Sequence, residues 1–179
     1  MPLATIGLNL VFALLLTFFG SAGLAADGGS AAQPFGVGLP DMAWQLLVDV
    51  PGFQMGPVQR FPGTARAFGT ADARGMAISL TLAKSPDDPS ARSCRDHDWA
   101  GRQNAQAARE DTRLSAQDGW ARVDFLVPTS GGQPVREKHV LLYLQREGVC
   151  AVVHLSKLQY QPSDAPGLEK LLASVRLGG

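Results

Sequence analysis

The sequence predicts an α+β fold: a single domain, a mostly antiparallel sheet with a helix on each face, or α/β/α sandwich. Three observations predict it. Residues 135–146 and 149–158 are long strand patterns joined at Glu147 and Gly148. With those two residues as the turn, Arg146 faces Val149, Leu144 faces Ala151, Leu142 faces Val153 and Val140 faces Leu155, an apolar face. The opposite face pairs Gln145 with Cys150, Tyr143 with Val152, Leu141 with His154 and His139 with Ser156. Polar groups are inserted there, as expected when both faces are covered unequally. Near the C-terminus, Leu168, Leu171, Leu172 and Val175 recur at helical spacing after a cap at Ser163 or Asp164, ending at Gly178 and Gly179. This helix is expected to cover the apolar face. A first helix, started by Asp88 and Pro89 and running to about Ala108, is expected to cover the other. Its Cys94 side carries Ala91, His97, Asp98, Gly101, Ala105 and Ala108 at about 100° per residue, and Cys150 lies on the sheet face it would meet.

The elements follow in order. The first 26 residues hold no charged side chain, so the 16 basic and 16 acidic residues all lie after them. Residues 6–19 are an apolar run, interrupted by Gly7, Asn9 and Thr17 and followed by small residues, the pattern of a secretory signal. Gly23 and Ala25 supply the small residues before a cleavage point, so residues 1–25 read as a signal peptide. No Lys or Arg precedes the run, and residues 1–26 are also long enough to span a bilayer as an uncleaved anchor. Residues 26–42 read as a flexible, Gly- and Pro-containing leader. Residues 43–179 form the domain, in a mature chain long enough to bury roughly 68–70% of its unfolded surface.

Within the domain, residues 44–50 are a strand stopped by Pro51 and Gly52, and residues 54–60 and 64–70 are short extended pieces around Pro62 and Gly63. In residues 75–83, Met76, Ile78, Leu80 and Leu82 alternate with Ala77, Ser79, Thr81 and Ala83. The small-residue face is the expected seat of the first helix. Residues 113–117 and 120–127 read as a hairpin around Asp118 and Gly119, with Ala121, Val123, Phe125 and Val127 on one face. Residues 129–134 read as a loop.

Composition excludes several function classes. Balanced charge with a pI of about 6.8 gives no field for nucleic acid or anionic lipid. A hydrophobic content of 45% excludes a disordered chain. Two cysteines are too few for a disulfide-dense miniprotein or a four-cysteine zinc module. In an exported chain an even pair reads as one disulfide, Cys94 to Cys150. Closing so long a loop is worth roughly 4 kcal/mol as an upper figure. A redox-active pair would need Cys-x-x-Cys spacing, which is absent.

The chemistry-bearing residues are sparse. Thr129-Ser130-Gly131-Gly132 is like the stretch around a serine-protease nucleophile, but reads better as turn residues, and no Gly-x-Ser-x-Gly occurs. Asp96 and Asp98 point about 200° apart on a helix, so they do not share a site with His97. A site between helix and sheet would draw on His97, Asp98, His139 and His154. His139 and His154 are diagonal neighbours within about 7–8 Å, which permits a shared ligand. With Cys94 beside Cys150, His97 lies about 4.5 Å along the helix but His154 about 13 Å along the strand, so uniting all four requires long reach. His139, Tyr143 and His154 are thus the candidate ligand-binding set. Trp99 and Trp120 fall off the expected core-facing sets and are candidate partner contacts, with Arg95 placed for a cation–π pair with Trp99.

The segment Trp44-Gln45-Leu46-Leu47-Val48-Asp49-Val50-Pro51-Gly52-Phe53, the order strands, helix, four antiparallel strands, and the Leu-rich final helix together resemble the PsbP-like family. That sandwich is shared by the extrinsic photosystem II protein and the Ran-release factor. The resemblance covers about residues 43–177, transfers no site residue, and implies a non-catalytic accessory or binding role. The expectation is therefore a periplasmic or secreted, disulfide-bonded accessory or binding domain of the cell envelope. It is expected not to be an enzyme and to have a protein or envelope partner, no cofactor, no metal, no nucleic acid and no integral membrane segment after signal cleavage. The alternative is a small-molecule or metal carrier using the helix–sheet gap near His139 and His154.

Overall fold

The structure, a computed structural model, describes residues 33–85, 90–103 and 108–179. The signal segment 1–25, the start of the leader, the Asp88 and Pro89 helix start, and Ala105 lie outside the described residues. In chain order the strands are β1 (Phe35–Val37), β2 (Gln45–Val48), β3 (Gln54–Met55), β4 (Gln59–Phe61), β5 (Thr64–Ala71) and β6 (Met76–Lys84). Helix α1 (Ala91–Gln103) follows, then β7 (Glu110–Gln117), β8 (Trp120–Ser130), β9 (Gln133–Arg146), β10 (Val149–Lys157), α2 (Ala165–Ala173) and β11 (Arg176–Gly178).

The large sheet is antiparallel throughout, in the order β3-β5-β6-β10-β9-β8-β7 with β4 also paired to β5. Its centre is the β9–β10 hairpin, in the register the sequence predicts: Arg146 opposite Val149, Leu142 opposite Val153, His139 opposite Ser156. Glu147 and Gly148 both sit at positive φ, 51° and 71°, the backbone that a two-residue hairpin turn requires. The β7–β8 hairpin also pairs as expected, Gln117 opposite Trp120. The expected loop at 129–134 is instead a tight turn at Gly131 and Gly132, with the strands running up to it. Two glycines at positive φ make so short a connection possible.

One sheet face presents Ile78, Leu80 and Leu82 of β6 and Ala151, Val153 and Leu155 of β10, all fully buried. As predicted, α2 covers it with Leu168, Leu171 and Leu172. A second cover was not anticipated: a small sheet, β1-β2-β11, that inserts Val37, Leu46 and Val48 into the same core beside Trp44. Two sequence expectations are corrected here. The fold begins inside the supposed leader, because Phe35–Val37 pairs with β2 and Val37 is fully buried. The last helix ends at Ala173, before Val175, and Arg176–Gly178 is a strand against β2. Its stop is local. The Ser174 and Val175 amides turn back to Leu171 and Leu172 carbonyls in tightened i→i−3 bonds, and the Ser174 hydroxyl donates to Leu171 O at 2.6 Å. That hydroxyl also accepts the Asp49 amide at 3.1 Å, which ties the helix end to the small sheet.

The other face is covered by α1. Ser90 Oγ accepts the Ser93 amide at 3.1 Å, the bond an N-cap makes. The buried side of α1 is Ala91, Cys94, Arg95 and Trp99, rotated away from the expected Cys94–His97–Gly101 side. The helix seats over β8 and β9, against Ala121, Val123, Phe125, Leu141 and Tyr143, and not over the small residues of β6. Burying Trp99 against these large apolar groups removes more area from water than the alanine and serine stripe could. Cys94 is disulfide-bonded to Cys150 across 5.8 Å between Cα atoms, which fastens α1 to β10.

Replacing both cysteines, Cys94→Ala with Cys150→Ala, is expected to lower unfolding stability by up to about 4 kcal/mol without changing the fold. Urea denaturation of the variant against the oxidised protein measures the loss; an unchanged midpoint would show that the bond does not constrain the chain.

Candidate functional site

The polar groups of the α1-covered face converge on a short stretch of β9 and β10. His139 pairs directly with Phe125 of β8 and lies diagonal to His154 of β10. His139 Nδ1 and His154 Nε2 are 2.9 Å apart, a hydrogen bond with one proton between two imidazoles. The His139 ring stacks on Phe125 with centroids 4.7 Å apart, and Phe125 in turn meets Trp99 at 5.4 Å. The Arg109 guanidinium closes the column over both Trp99 and Phe125, at 4.8 and 5.2 Å. Glu137 Oε2 lies 3.5 Å from His139 Nε2. A carboxylate there favours the proton on Nε2, which leaves Nδ1 to accept from His154 Nε2–H.

A second polar contact secures α1 nearby. Tyr143, fully buried, donates its hydroxyl to Asp98 Oδ2 at 2.7 Å, and Arg102 Nε donates to the same oxygen at 2.7 Å. Arg109 Nη2 donates to the Arg102 carbonyl. Burial sets the protonation of the cluster. Desolvation pushes His154 down to about 4, with the neighbouring His139 and Arg102 adding to the effect and Asp98 opposing it. Desolvation also lowers His139, opposed by Glu137 and helped by Arg109. Burial and the bond to Asp98 raise Tyr143. At neutral pH the imidazoles are neutral and Tyr143 is a fixed donor.

His139 and His154 meet, as diagonal neighbours can, while Tyr143 makes a separate contact with Asp98. His97 does not join them: it is exposed on the outer side of α1. Trp99 is buried, 5% exposed, and is no surface contact; Trp120 is half-buried at the start of β8. The cation–π partner of Trp99 is Arg109, not Arg95. Arg95 is itself buried and donates to Asp96 Oδ1 and to Ser115 O of edge strand β7. Sequence reasoning missed Phe125, Glu137, Arg102 and Arg109; Phe125 was legible only through the β8–β9 register. It also missed a second polar cluster on the α2 side. There Arg122 makes paired bonds to Asp124 and to Glu169 of α2, and Lys138 approaches Asp124 at 3.3 Å.

Among the described residues no group of three or more His, Cys, Asp or Glu side chains is placed to hold a metal ion. The two histidine nitrogens face each other, Glu137 sits at the far nitrogen of His139, and Asp98 is occupied by Tyr143 and Arg102. The arrangement is packed: one proton-dependent bond within the sheet, and beside it a hydroxyl–carboxylate bond from sheet to helix.

No protein-family model matches the chain, and no curated protein matches it by sequence. Solved structures do match by fold. The solution structure of cyanobacterial PsbP (CyanoP) from Synechocystis sp. PCC 6803 superposes with a TM-score of 0.51 at 16% identity, covering 88% of this chain and 98% of that one. The fold is PsbP-like, as the sequence resemblance implied.

The histidine pair predicts a pH dependence with a definite sign. Between the ordinary value of 6.5 and about 4, unfolded His154 binds a proton that the folded protein excludes. Stability is therefore expected to fall as pH drops through this window, by roughly 3 kcal/mol from this group, and to level off below it. Urea unfolding across pH 4–7 for the protein and for His154→Gln should show that the difference between them carries this slope; parallel profiles would contradict it.

Proposed function

We propose that this protein is an exported, disulfide-bonded accessory domain of the cell envelope, periplasmic or secreted, that acts by binding a protein partner and catalyses no reaction. The Cys94–Cys150 bond carries the proposal. It links the domain's longest helix to a central strand over a sequence separation of 56, and such a bond persists in an oxidising compartment. The charge-free, apolar N-terminal segment supplies the export route that the bond requires. Among the described residues no helix is long and apolar enough to cross a membrane.

A binding role fits the character of the interior polar groups. His139 and His154 are engaged with each other across β9 and β10, and Tyr143 with Asp98 of α1, so that only the second pair ties the helix to the sheet. A group poised for acid–base work needs an approach for substrate. Tyr143, by contrast, is fully buried and the His139 side chain is only 14% exposed. The PsbP-like fold supports an accessory role, as the family resemblance implied.

Thiol trapping tests the proposal. In the native host, the full chain should resist a maleimide–polyethylene glycol reagent until it is reduced, then take up two labels. A form starting at Ala26 and kept in the cytosol should label without reduction. N-terminal sequencing of the exported form should begin at Ala26. Free thiols in the full-length protein would overturn the export reading.

A further inference from the structure

The polar cluster on the α2 side borders a cavity of about 380 Å³, between β7, β8, β9 and α2. That volume lies at the small end of the range for small-molecule sites, about 300–1,000 Å³. Its lining holds three cations, Arg113, Arg122 and Lys138, and three carboxylates, Asp111, Asp124 and Glu169. Their pairing is incomplete. Arg122 directs its bonds to Asp124 and Glu169. The Lys138 side chain is only 16% exposed, yet its one charged neighbour among the described residues is Asp124 Oδ1 at 3.3 Å, an oxygen that Arg122 Nη2 already bonds. Asp111 and Arg113, both exposed at the mouth, pair with no opposite charge among the described residues. The backbone around the mouth is also unusual. Of the four non-glycine residues at positive φ among the described residues, Glu147 serves the hairpin turn. Asp111, at 50°, lies in the β7 bulge on the cavity wall; Arg136 and Gln159, at 43° and 52°, stand just before Lys138 and Tyr160, which also line it. The Tyr160 amide donates to Arg136 O at 3.0 Å and Arg136 Nε returns a bond to Tyr160 O at 3.1 Å, which locks these two segments together. Backbone of this kind persists only where its surroundings impose it, and it gathers at ligand clamps.

The register gathers these groups around one apolar floor. Leu126 lies opposite Lys138 on one side and, on the other, Glu110 at the edge of the bulge that carries Asp111. Asp124 in the next row lies opposite Val140 and Arg113. Neighbouring strands are about 4.8 Å apart, so Lys138 and the bulge stand roughly 10 Å apart with Leu126 between them. A lone anion entering here meets Asp111 and Asp124 as well as the cations, and a lone cation meets Lys138 and Arg113. Neither suits a lining whose charges cancel. Going beyond the partner-binding role and independently of it, we infer that this cavity binds a small zwitterion with an apolar group, the chemistry of a free aliphatic α-amino acid. Its carboxylate is met by Lys138 and Arg113, its ammonium by Asp111, and its side chain lies over Leu126 toward Leu168. The Arg122, Asp124 and Glu169 network stays paired and holds the wall beside Lys138.

The test titrates the full chain, labelled for NMR, with leucine and three analogues: isocaproate lacks the ammonium, isoamylamine lacks the carboxylate, and glycine lacks the apolar group. Leucine should shift amides of the β7 bulge and of β8 and β9 around Leu126, saturating by about 10 mM, and each analogue should bind at least about tenfold more weakly. Asp111→Asn should weaken leucine by about fivefold or more and erase most of its advantage over isocaproate. Arg113→Gln should weaken it similarly and erase most of its advantage over isoamylamine. Both residues are exposed on edge strand β7, and Asn tolerates the positive φ of Asp111, so these variants keep the fold. Lys138→Gln, its fold checked by the same amide spectrum, gives a second route to the loss of carboxylate recognition. Isocaproate binding as tightly as leucine would make this a plain anion site and overturn the proposal. So would isoamylamine binding as tightly, shifts that never saturate, or shifts centred on His139 and His154 of the opposite face. Thiol trapping reads the export role separately, so neither result decides the other.

Discussion

The alternation along β6, β9 and β10 is the constraint from which the architecture follows. These central strands are paired on both edges, so their side chains have only two directions to take. Toward one side they send an unbroken apolar set, Ile78, Leu80, Leu82, Val140, Ala151, Val153 and Leu155. That area is too wide for α2, a helix of nine residues, and the small sheet β1-β2-β11 fills the remainder. Toward the other side the same strands send a mixture, and only the part over β8 and β9 is bulky enough to hold a helix. The unequal faces explain both the extra layer on one side and the bare surface on the other.

What the sequence made legible was whatever a short turn or a strict period determines. Glu147 and Gly148 leave no freedom in the β9–β10 register, so the meeting of His139 and His154 could be derived before any coordinates. The small sheet was hidden because its strands are three or four residues long and pair across the whole chain: Val37 with Leu46, and Leu46 with Leu177. No local pattern distinguishes Phe35–Val37 from a leader. The rotation of α1 was misjudged because angular counting from Cys94 treats all neighbours alike, whereas Trp99 has far more area to bury than Gly101. Phe125 escaped notice as a stacking partner because the β8–β9 register shifts between Val127 and Thr129, where the strand reading stopped and the loop reading began.

Helix α1 is held by three unlike devices arranged along its length. Near its start the disulfide supplies a covalent tie whose effect is largely on the unfolded chain. Further along, Asp98 takes the Tyr143 hydroxyl, a bond that would leave a buried donor unsatisfied if broken. Beside these, the column Arg109, Trp99, Phe125, His139, His154 adds ring contacts and one proton-dependent hydrogen bond. Only the last responds to the medium over the pH range of biological compartments. The imidazole bond joins β9 to β10 beneath the helix, so pH acts on the sheet surface that α1 rests on and reaches the helix only through the Phe125 and Trp99 rings.

The neutral total of the sequence conceals a sorting of charge. Carboxylates and cations interlock around α1 and α2: Arg95 with Asp96, Arg102 with Asp98, Arg122 with Asp124 and Glu169, Lys138 with Asp124. These pairs engage Asp96, Asp98, Asp124 and Glu169. Strands β4 and β5 retain Arg60 and Arg66 without a carboxylate partner among the described residues, on opposite faces of the sheet, with Arg66 over the exposed ring of Phe61. A net charge of zero was grounds for expecting no electrostatic partner, and it does exclude a long-range field. It does not exclude short-range recognition, because screening confines such attraction to about a Debye length, near 8 Å. Over that distance a partner senses the charges in front of it and not the sum over the chain.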